Sequence, residues 1–415
     1  MANVRKTAFE ILKDVMLHNE YASLNMRYGS YDLNEKDQGL LTQIVYGTIR
    51  NYRYVRYQWE LYVDRKVPDE IAVLLDGATY QLILLDKLPA YAVVNETVAI
   101  AKDEYPNYAG FVNAVLRRIA DKGAQAIKGD DEVDKFAIET SHPTWLVRMW
   151  NAQYGEEICD SICWENLKDG RVELAVNTLL TTADKLLEDE RFHRTAEGNA
   201  LIYDGNIFAS EYFKNNLVYV QSESSQQAVE ILDPKPKERI LDMCRAPGTK
   251  TVQIAMKTGN DANIYSIDVY PQRVELIENA LKKYGITCVT TMCEDSRTLH
   301  TKIPLYYYDK VLLDAPCSGL GTLKHKPEIK MSIKPEDIDE IVRLQSQLLD
   351  SAALMVKAGG CLVYSTCTLN TKENEKQIRM FLSQHTQFEL VEEKTIIPDS
   401  THYDGFYISK LRKTC

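Results

Sequence analysis

The chain has 415 residues, of which 45% are hydrophobic and 26% are charged, and its formal net charge is −11. This length exceeds what one hydrophobic core usually serves, so two or three folded domains are expected. No apolar run reaches membrane-spanning length, and the excess of acid excludes indiscriminate binding to nucleic acid, which depends on cationic side chains. The first residues lack an apolar secretory segment and the nine cysteines are scattered, which predicts a cytoplasmic protein without a disulfide framework.

Residues 1–140 are predicted to form an all-helical domain. The apolar spacing of a helix recurs in five segments, residues 4–15, 40–49, 71–85, 93–101 and 111–119. The polar stretch 122–132 has the composition of a linker. Cys159 and Cys163 are four residues apart, but no second ligand pair with zinc spacing accompanies them, so we interpret them as core thiols and expect no metal.

A group of arginines in the helical region is a candidate RNA contact. Arg50, Arg53 and Arg56 recur at a spacing of three, with tyrosines between them, and on one helix they would form a slanting stripe. Guanidinium groups and aromatic rings suit the phosphates and bases of structured RNA. The alternative, a solvated face beside core tyrosines, is equally compatible with the sequence. Lys324 and Lys326, beyond the Cys317 motif, are further candidates.

The rest of the chain changes in texture. Residues 141–232 are predicted to hold a linker helix and a small α+β module, with strands at 172–176 and 216–220 and a helix at 183–192. From residue 233 to 415, strands and helices alternate, which predicts a doubly wound α/β sheet. Its predicted strands are residues 239–242, 263–268, 288–291, 310–314 and 361–366, and its predicted helices are 254–257, 272–284, 338–356 and 372–383.

A glycine-containing turn follows the first strand of this α/β region, at residues 241–251. It lacks the three glycines of a dinucleotide fingerprint and the end of a phosphate loop, so a pyrophosphate is not the expected ligand. Asp268 ends the second strand, at the position where a carboxylate commonly binds ribose hydroxyls. Asp295 follows the third strand, where it can also serve as a helix N-cap, and Asp314 ends the fourth. Successive strand-end carboxylates favour a nucleoside ligand without phosphate, such as the cation S-adenosylmethionine.

Two cysteines are candidate nucleophiles. Cys317 lies in Asp314-Ala-Pro-Cys-Ser-Gly and Cys367 in Ser365-Thr-Cys-Thr, each directly beyond a predicted buried strand. Isolated cysteines are more often inert hydrophobes, but the ends of parallel strands line the ligand crevice of an open sheet. A thiolate that adds to C6 of a cytosine makes C5 nucleophilic, and a second thiol can assist the later elimination. Asp314 can hydrogen-bond the pyrimidine edge. The residues alone do not tell which cysteine attacks.

These motifs resemble the cofactor loop and the two cysteine motifs of the Sun/RsmB RNA cytosine-5 methyltransferases. Phe111–Arg118 is similar to the end of that family's NusB-like domain, 141–146 to its interdomain helix, and 404–410 to its final strand. The resemblance implies a NusB-like helical domain, an RRM-like α+β module and a Rossmann-like class I methyltransferase domain. It also implies that the substrate is 16S ribosomal RNA or a small-subunit assembly intermediate.

The resemblance assigns roles that the residues leave open. It implies that Cys367 attacks C6 and that Cys317 helps to release the product. The residues that it implies for binding S-adenosylmethionine are Cys244, Arg245, Ala246, Pro247, Gly248, Thr249, Lys250, Asp268, Asp295 and Asp314.

The chain departs from the family pattern at Arg245, where the family has alanine, and at Thr249, where it has glycine; Glu223 also alters the usual lead-in. A threonine adds a branched side chain near the ligand and disfavours a positive φ. An alternative is therefore an RNA-binding maturation factor that has lost its cofactor affinity. An amino-group methyltransferase is disfavoured, since such enzymes carry Asn/Asp-Pro-Pro-aromatic where this chain has Asp314-Ala-Pro-Cys.

Overall fold

The computed structural model describes residues 3–29, 33–86, 88–243, 248–399 and 401–414. The chain divides into two compact units, one formed by Met1–Asp169 with Leu323–Ile333 and the other by Gly170–Thr322 with Lys334–Cys415. The domain boundaries expected after residues 140 and 232 stay predictions. Among the described helices, none is long and apolar enough to cross a membrane.

The first unit is helical. Its helices in chain order are α1 (Val4–His18), α2 (Ala22–Gly29), α3 (Glu35–Arg50), α4 (Tyr52–Glu60), α5 (Asp69–Leu84), α6 (Ala90–Glu104), α7 (Ala109–Lys122), α8 (Glu132–Glu139), α9 (Thr144–Tyr154) and α10 (Glu156–Glu165), with a 3-10 helix at Pro106–Tyr108. The sequence of α5 is apolar nearly all round, so this helix is buried at the centre and packs against α1, α3, α4, α6 and α7. Cys159 and Cys163 are buried on α10, as expected for core thiols.

The segment predicted as a linker is irregular but is held by specific hydrogen bonds. The side-chain amide of Gln58 on α4 donates to the Gln125 carbonyl at 2.8 Å, and its oxygen accepts from the Gln125 N–H at 2.7 Å. The Tyr57 hydroxyl accepts from the Lys128 N–H at 2.8 Å. Composition indicated the absence of regular structure correctly, but it carried no information about this packing.

The second unit begins with a small α+β module. Its elements are β1 (Leu174–Val176), α11 (Ala183–Leu186), β2 (Phe192–Arg194), β3 (Leu201–Tyr203), a 3-10 helix (Ile207–Ala209), α12 (Glu211–Lys214) and β4 (Val218–Val220). The antiparallel sheet has the order β2-β3-β1-β4, which is the β-α-β-β-α-β arrangement of ferredoxin-like folds. The helix predicted over 183–192 is shorter than expected, because β2 begins at Phe192.

The remaining elements build a seven-stranded sheet with helices on both faces. They are α13 (Glu223–Leu232), β5 (Arg239–Met243), α14 (Thr249–Lys257), β6 (Asn263–Asp268), α15 (Pro271–Lys283), β7 (Val289–Cys293), a 3-10 helix (Ser296–Thr301), β8 (Tyr308–Asp314), α16 (Ile329–Ser332), α17 (Pro335–Met355), β9 (Val356–Thr366), α18 (Glu375–Gln384), β10 (Phe388–Ile396) and β11 (Phe406–Lys413). Helix α16 lies in the segment that belongs to the first unit.

The strand order is β10-β11-β9-β8-β5-β6-β7, and β11 runs antiparallel to its neighbours β9 and β10. The order runs outward from β5 through β6 to β7 and then restarts on the other side of β5 with β8 and β9. The gap between β5 and β8 is therefore the switch point, the place where open α/β sheets bind their ligands. The predicted fold class, a doubly wound sheet preceded by a small α+β module and a helical region, is confirmed.

A buried lysine from α16 is part of the first unit. Lys330 is 1% exposed, and its ammonium group donates to the Arg50 carbonyl at 2.6 Å and lies 5.7 Å from the centre of the Tyr52 ring. Burial lowers the pKa of Lys330 from 10.5 to about 7. A carbonyl and an aromatic face stabilise the ammonium less than water does, so folding favours loss of its proton.

We predict that Lys330 makes the protein more stable as the pH rises above 7. Between pH 7 and 10 the unfolded chain keeps the lysine proton that the folded chain has lost, so the free energy of unfolding increases with pH, by at most about 1.4 kcal/mol per pH unit. Lys330→Met removes this contribution. Urea unfolding of both proteins at pH 7, 8 and 9 measures the difference in slope, and equal slopes would contradict the lowered pKa.

Candidate active site

The carboxyl ends of β5, β6, β7, β8 and β9 form one edge of the sheet, and those predicted site residues of this unit that the structure describes lie along it. The glycine turn follows β5, Asp268 ends β6, Asp295 follows β7, and Asp314 ends β8. Parallel pairing alone aligns these strand ends. The strand order therefore brings together groups that are separated by up to 66 positions in the sequence, between Gly248 and Asp314.

The two candidate cysteines are in contact. Their sulfur atoms are 3.4 Å apart, and both side chains are partly exposed. The cause is the parallel register of β8 and β9, in which Asp314 lies opposite Ser365. Cys317 follows the first of these residues by three positions, and Cys367 follows the second by two. Each strand thus delivers one thiol to the same point beyond the edge of the sheet.

Asp314 is buried at the end of β8, between β9 and helix α14. It is 0% exposed; one carboxylate oxygen accepts from the Lys250 ammonium at 2.7 Å and the other from the Ser365 hydroxyl at 2.8 Å. Lys250, on α14, is itself 3% exposed. Buried charges of this kind require a partner. The sequence marked both residues as candidates but gave no sign that they pair with each other.

The turn after β5 is described only from Gly248 onward, since Cys244, Arg245, Ala246 and Pro247 lie outside the described residues. Gly248 has a φ of +87°, and its missing side chain leaves room for Ile277. Thr249 begins α14. The position that requires a positive φ is therefore the glycine that the chain retains, and a helical backbone is one that threonine adopts without strain. The expected backbone strain at Thr249 is therefore absent.

The other two carboxylates differ in their surroundings. Asp268 is 2% exposed and accepts from the Tyr270 N–H at 3.1 Å, which fixes it at the end of β6. Asp295 is partly exposed, caps the 3-10 helix through the Arg297 N–H at 2.9 Å, and forms a two-pronged ion pair with the Arg297 guanidinium, which holds the pKa of Asp295 below its usual value. Asp295 is therefore the N-cap of this 3-10 helix, and its role in binding a ligand stays a prediction.

One close backbone contact beside the cysteines was not recognised from the sequence. The Gly321 N–H donates to the Cys367 carbonyl at 3.0 Å, and the Gly405 N–H donates to the Gly321 carbonyl at 2.8 Å. A Cβ on Gly321 would lie 2.0 Å from the Gly405 oxygen, so only glycine fits. Gly321 lies four residues after Cys317, and Gly405 directly precedes β11. The sequence feature that could have indicated this contact is the presence of a glycine at both positions, Gly321 and Gly405.

The candidate RNA-binding arginines do not form a stripe on one helix, because the helix breaks at Asn51. Arg50 ends α3, is buried, and pairs with Asp169 at 2.5 Å. Arg53 donates to the His142 carbonyl at 2.5 Å and to Asp134 at 3.3 Å.

Arg56 pairs at 2.5 Å with Asp76, a carboxylate at 0% exposure that also accepts from Trp59. Arg53 and Arg56 nevertheless line a cavity of about 340 Å³ together with Tyr52 and Tyr57. In the same unit, Lys324 is buried against Glu165 at 2.9 Å, whereas Lys326 is exposed. RNA binding by all five cations stays a prediction.

Models of three protein families match successive parts of the chain. A family model described as 16S rRNA methyltransferase RsmB/F matches residues 229–412. A NusB family model matches residues 2–121, and a model of the ferredoxin-like domain of RsmF/B-like methyltransferases matches residues 142–190.

Similar curated proteins match over their whole length. A probable ribosomal RNA small subunit methyltransferase B of Bacillus subtilis (strain 168) is 34% identical over 441 residues, covering 99% of each chain. A protein described in the same way from Synechocystis is 31% identical and covers 100% of each chain.

Solved structures are similar as well. A methyltransferase homologue from Pyrococcus horikoshii has a TM-score of 0.61 at 27% identity, covering 69% of this chain and 100% of its own. NSun6 from the same organism, crystallised with SFG, has a TM-score of 0.60 at 22% identity, covering 66% of this chain and 98% of its own, and shows the fold alone.

We predict that Asp314→Ala destabilises the protein by about 3–5 kcal/mol, because it removes the carboxylate that the buried Lys250 ammonium contacts. The double variant Lys250→Met with Asp314→Leu recovers most of this loss, since it leaves neither charge buried. Urea unfolding measures both. The matched control is Asp339→Ala, which breaks an exposed pair with Lys372 and changes the stability by less than about 1 kcal/mol.

Proposed function

Because this chain belongs to the RsmB/F family of ribosomal RNA small-subunit methyltransferases, we propose that it methylates C5 of a specific cytosine in 16S ribosomal RNA. The methyl donor of this family is S-adenosylmethionine. The observation that carries the C5 assignment is the 3.4 Å contact between the sulfurs of Cys317 and Cys367 at the ends of β8 and β9. Methylation of an amino group needs no covalent catalyst, whereas C5 of cytosine becomes nucleophilic only after a group adds to C6.

We propose the following division of roles between the cysteines. The Cys367 thiolate forms a bond to C6, and the electron pair of the C5–C6 double bond makes C5 a nucleophile. After methyl transfer, C5 loses its proton to a base, the double bond re-forms, and the bond between C6 and the Cys367 sulfur breaks. Cys317, in contact with Cys367, assists this release. The assignment of attack to Cys367 rests on the family resemblance, and the geometry is compatible with it.

Asp314 is proposed to contact the pyrimidine edge of the target base. It lies three residues before Cys317, and its register partner Ser365 lies two residues before Cys367, so it lies at the strand ends from which both cysteine loops begin.

The strand edge also fits the methyl donor. When bound, S-adenosylmethionine supplies a methyl group on a positively charged sulfur. A turn with Gly248 at the start of α14 supports close approach of a ligand. The buried Asp268 is proposed to bind the ribose hydroxyls, and Asp295 and Asp314 are proposed to add negative charge near the cationic ligand. We propose the segment from Cys244 to Lys250, with these three aspartates, as the cofactor site.

The helical unit is proposed to bind the RNA. Its match to the NusB family and the cavity lined by Arg53, Arg56 and two tyrosines support this role, since a base can stack on the rings while guanidinium groups contact phosphates. The exposed Lys326 is proposed to add to this surface, whereas RNA contacts by the buried Arg50 and Lys324 stay predictions. The partner is 16S ribosomal RNA or an assembly intermediate of the small subunit, and we propose the cytoplasm as the location.

We predict that Cys367→Ala abolishes methyl transfer, because no nucleophile then activates C5. In the Cys317→Ala protein, Cys367 still adds to C6, but the bond between C6 and sulfur breaks slowly. A covalent adduct of protein and RNA therefore accumulates. Bisulfite sequencing of 16S RNA incubated with each protein and S-adenosylmethionine detects 5-methylcytosine, and denaturing gels detect the adduct.

The matched control for this experiment is Cys361→Ala, which removes a thiol in the middle of β9 and leaves methyl transfer and release of the RNA at the wild-type level. An adduct with Cys367→Ala and normal turnover with Cys317→Ala would reverse the two roles. No 5-methylcytosine with the wild-type protein would contradict the proposed function.

We predict saturable binding of S-adenosylmethionine by calorimetric titration. Asp268→Ala is expected to lose this binding, because the ribose then has no carboxylate partner. The control is Asp261→Ala, which changes an exposed aspartate and is expected to keep the binding. Absence of binding to the wild-type protein would instead favour an RNA-binding maturation factor, the alternative that Arg245 and Thr249 raise.

A further inference from the structure

A buried glutamate lies where the two cysteine loops meet. Glu373 follows β9 by seven residues and is 0% exposed. Its main-chain carbonyl accepts from the Tyr364 hydroxyl at 2.7 Å, so the residue is anchored to β9. Burial raises the pKa of Glu373, and the hydrogen bonds that it accepts offset this effect in part. Neither its charge nor its burial is used by the proposed chemistry.

The carboxylate of Glu373 accepts hydrogen bonds from both loops. From the loop of Cys317, Ser318 donates its N–H at 2.9 Å and its hydroxyl at 2.6 Å. From the loop of Cys367, Asn370 donates its amide at 3.2 Å, and the Thr368 hydroxyl lies 2.6 Å from that of Ser318. Ser318 and Thr368 each directly follow one of the two cysteines.

A third element completes the arrangement. The side-chain amide of Gln345, on α17, donates to Glu373 at 3.1 Å and to the carbonyl of Pro316 at 3.0 Å. Pro316 directly precedes Cys317, so this loop is held on both sides of its thiol. Glu373 is the acceptor that all of these donors share.

We propose that Glu373 is the positioning residue that sets the distance between the two thiols. It acts through Ser318 and Thr368 and does not touch the substrate. The proposal rests on the proposed function for its catalytic meaning, but the geometry that it describes can be measured without any methyl transfer.

Only a carboxylate satisfies this set of donors. In Glu373→Gln, an amide NH₂ group replaces one of the two carboxylate oxygens. In one orientation it faces the Ser318 N–H and the Gln345 amide, and in the other it faces the Asn370 amide. Either orientation sets donor against donor, and an unsatisfied buried group costs about 1–3 kcal/mol. The loops are then expected to move apart. Glu373→Asp keeps both oxygens but is one methylene shorter, so it is expected to rescue the arrangement in part.

The first test measures the sulfur–sulfur geometry directly. Diamide, an azo compound, takes the two thiol hydrogens and is reduced to a hydrazine while the sulfurs form a disulfide. Mass spectrometry of peptides follows the rate at which Cys317 and Cys367 couple. We expect coupling at least about tenfold slower in Glu373→Gln, because a displacement of about 1 Å costs on the order of 10²-fold in a proximity-dependent step. Glu373→Asp is expected to fall between the two.

The second test separates positioning from folding and from cofactor binding. The control Glu375→Gln changes a nearby carboxylate that accepts from Thr395 on β10, and it is expected to couple at the wild-type rate. Binding of S-adenosylmethionine by Glu373→Gln is expected to be unchanged, whereas kcat for methyl transfer falls and KM for RNA does not. If Glu373→Gln does not fold, Ser318→Ala, which removes one hydroxyl from the connection, takes its place in both experiments.

Coupling at the wild-type rate in a folded Glu373→Gln, or in Ser318→Ala when the former is unfolded, would overturn the proposal. Slower coupling in the variant together with no methylation by the wild-type protein would uphold the positioning role and contradict the proposed function instead. The two inferences therefore fail separately.

Discussion

The parallel pairing of β8 with β9 is the constraint on which the candidate site depends. Asp314 and Ser365 face each other in register, and the Ala315 N–H donates to the Ser365 carbonyl at 2.8 Å, so both strands end at the same level. Each strand is followed within three residues by a cysteine, and neither loop is long enough to separate the thiols widely. A shift of the register by two residues would move one thiol by about 7 Å along the strand.

The parts of this arrangement that depend on local pattern could be predicted from the sequence. The apolar runs that end at Asp268 and Asp314 begin or end within about two residues of the observed strands, because buried parallel strands are short and continuously apolar. Placement of the cysteines and aspartates at one edge follows from the topology of any doubly wound sheet. The family resemblance then supplied the order of the domains and the division of labour between the thiols.

The parts that depend on tertiary contacts could not be predicted in this way. Lys250 and Asp314 are 64 residues apart, and nothing local indicates that they neutralise each other. A spacing of three residues predicts that Arg50 and Arg53 share one helix. In the structure the helix breaks at Asn51, and Arg50 is buried in an ion pair with Asp169. Glu373 falls near the start of the predicted helix 372–383, and only the fold shows that its carboxylate accepts hydrogen bonds from both cysteine loops.

The contact between Gly321 and Gly405 ties the site to the order in which the chain is made. Gly405 lies 38 residues after Cys367, at the start of the strand that enters the sheet beside β9. Domains fold as units while the polypeptide leaves the ribosome, N-terminal parts first. The loop of Cys317 and the carbonyl of Cys367 thus acquire this neighbour only after β11 has been synthesised. The nascent protein therefore contains both thiols before the contact that holds their loops together can form.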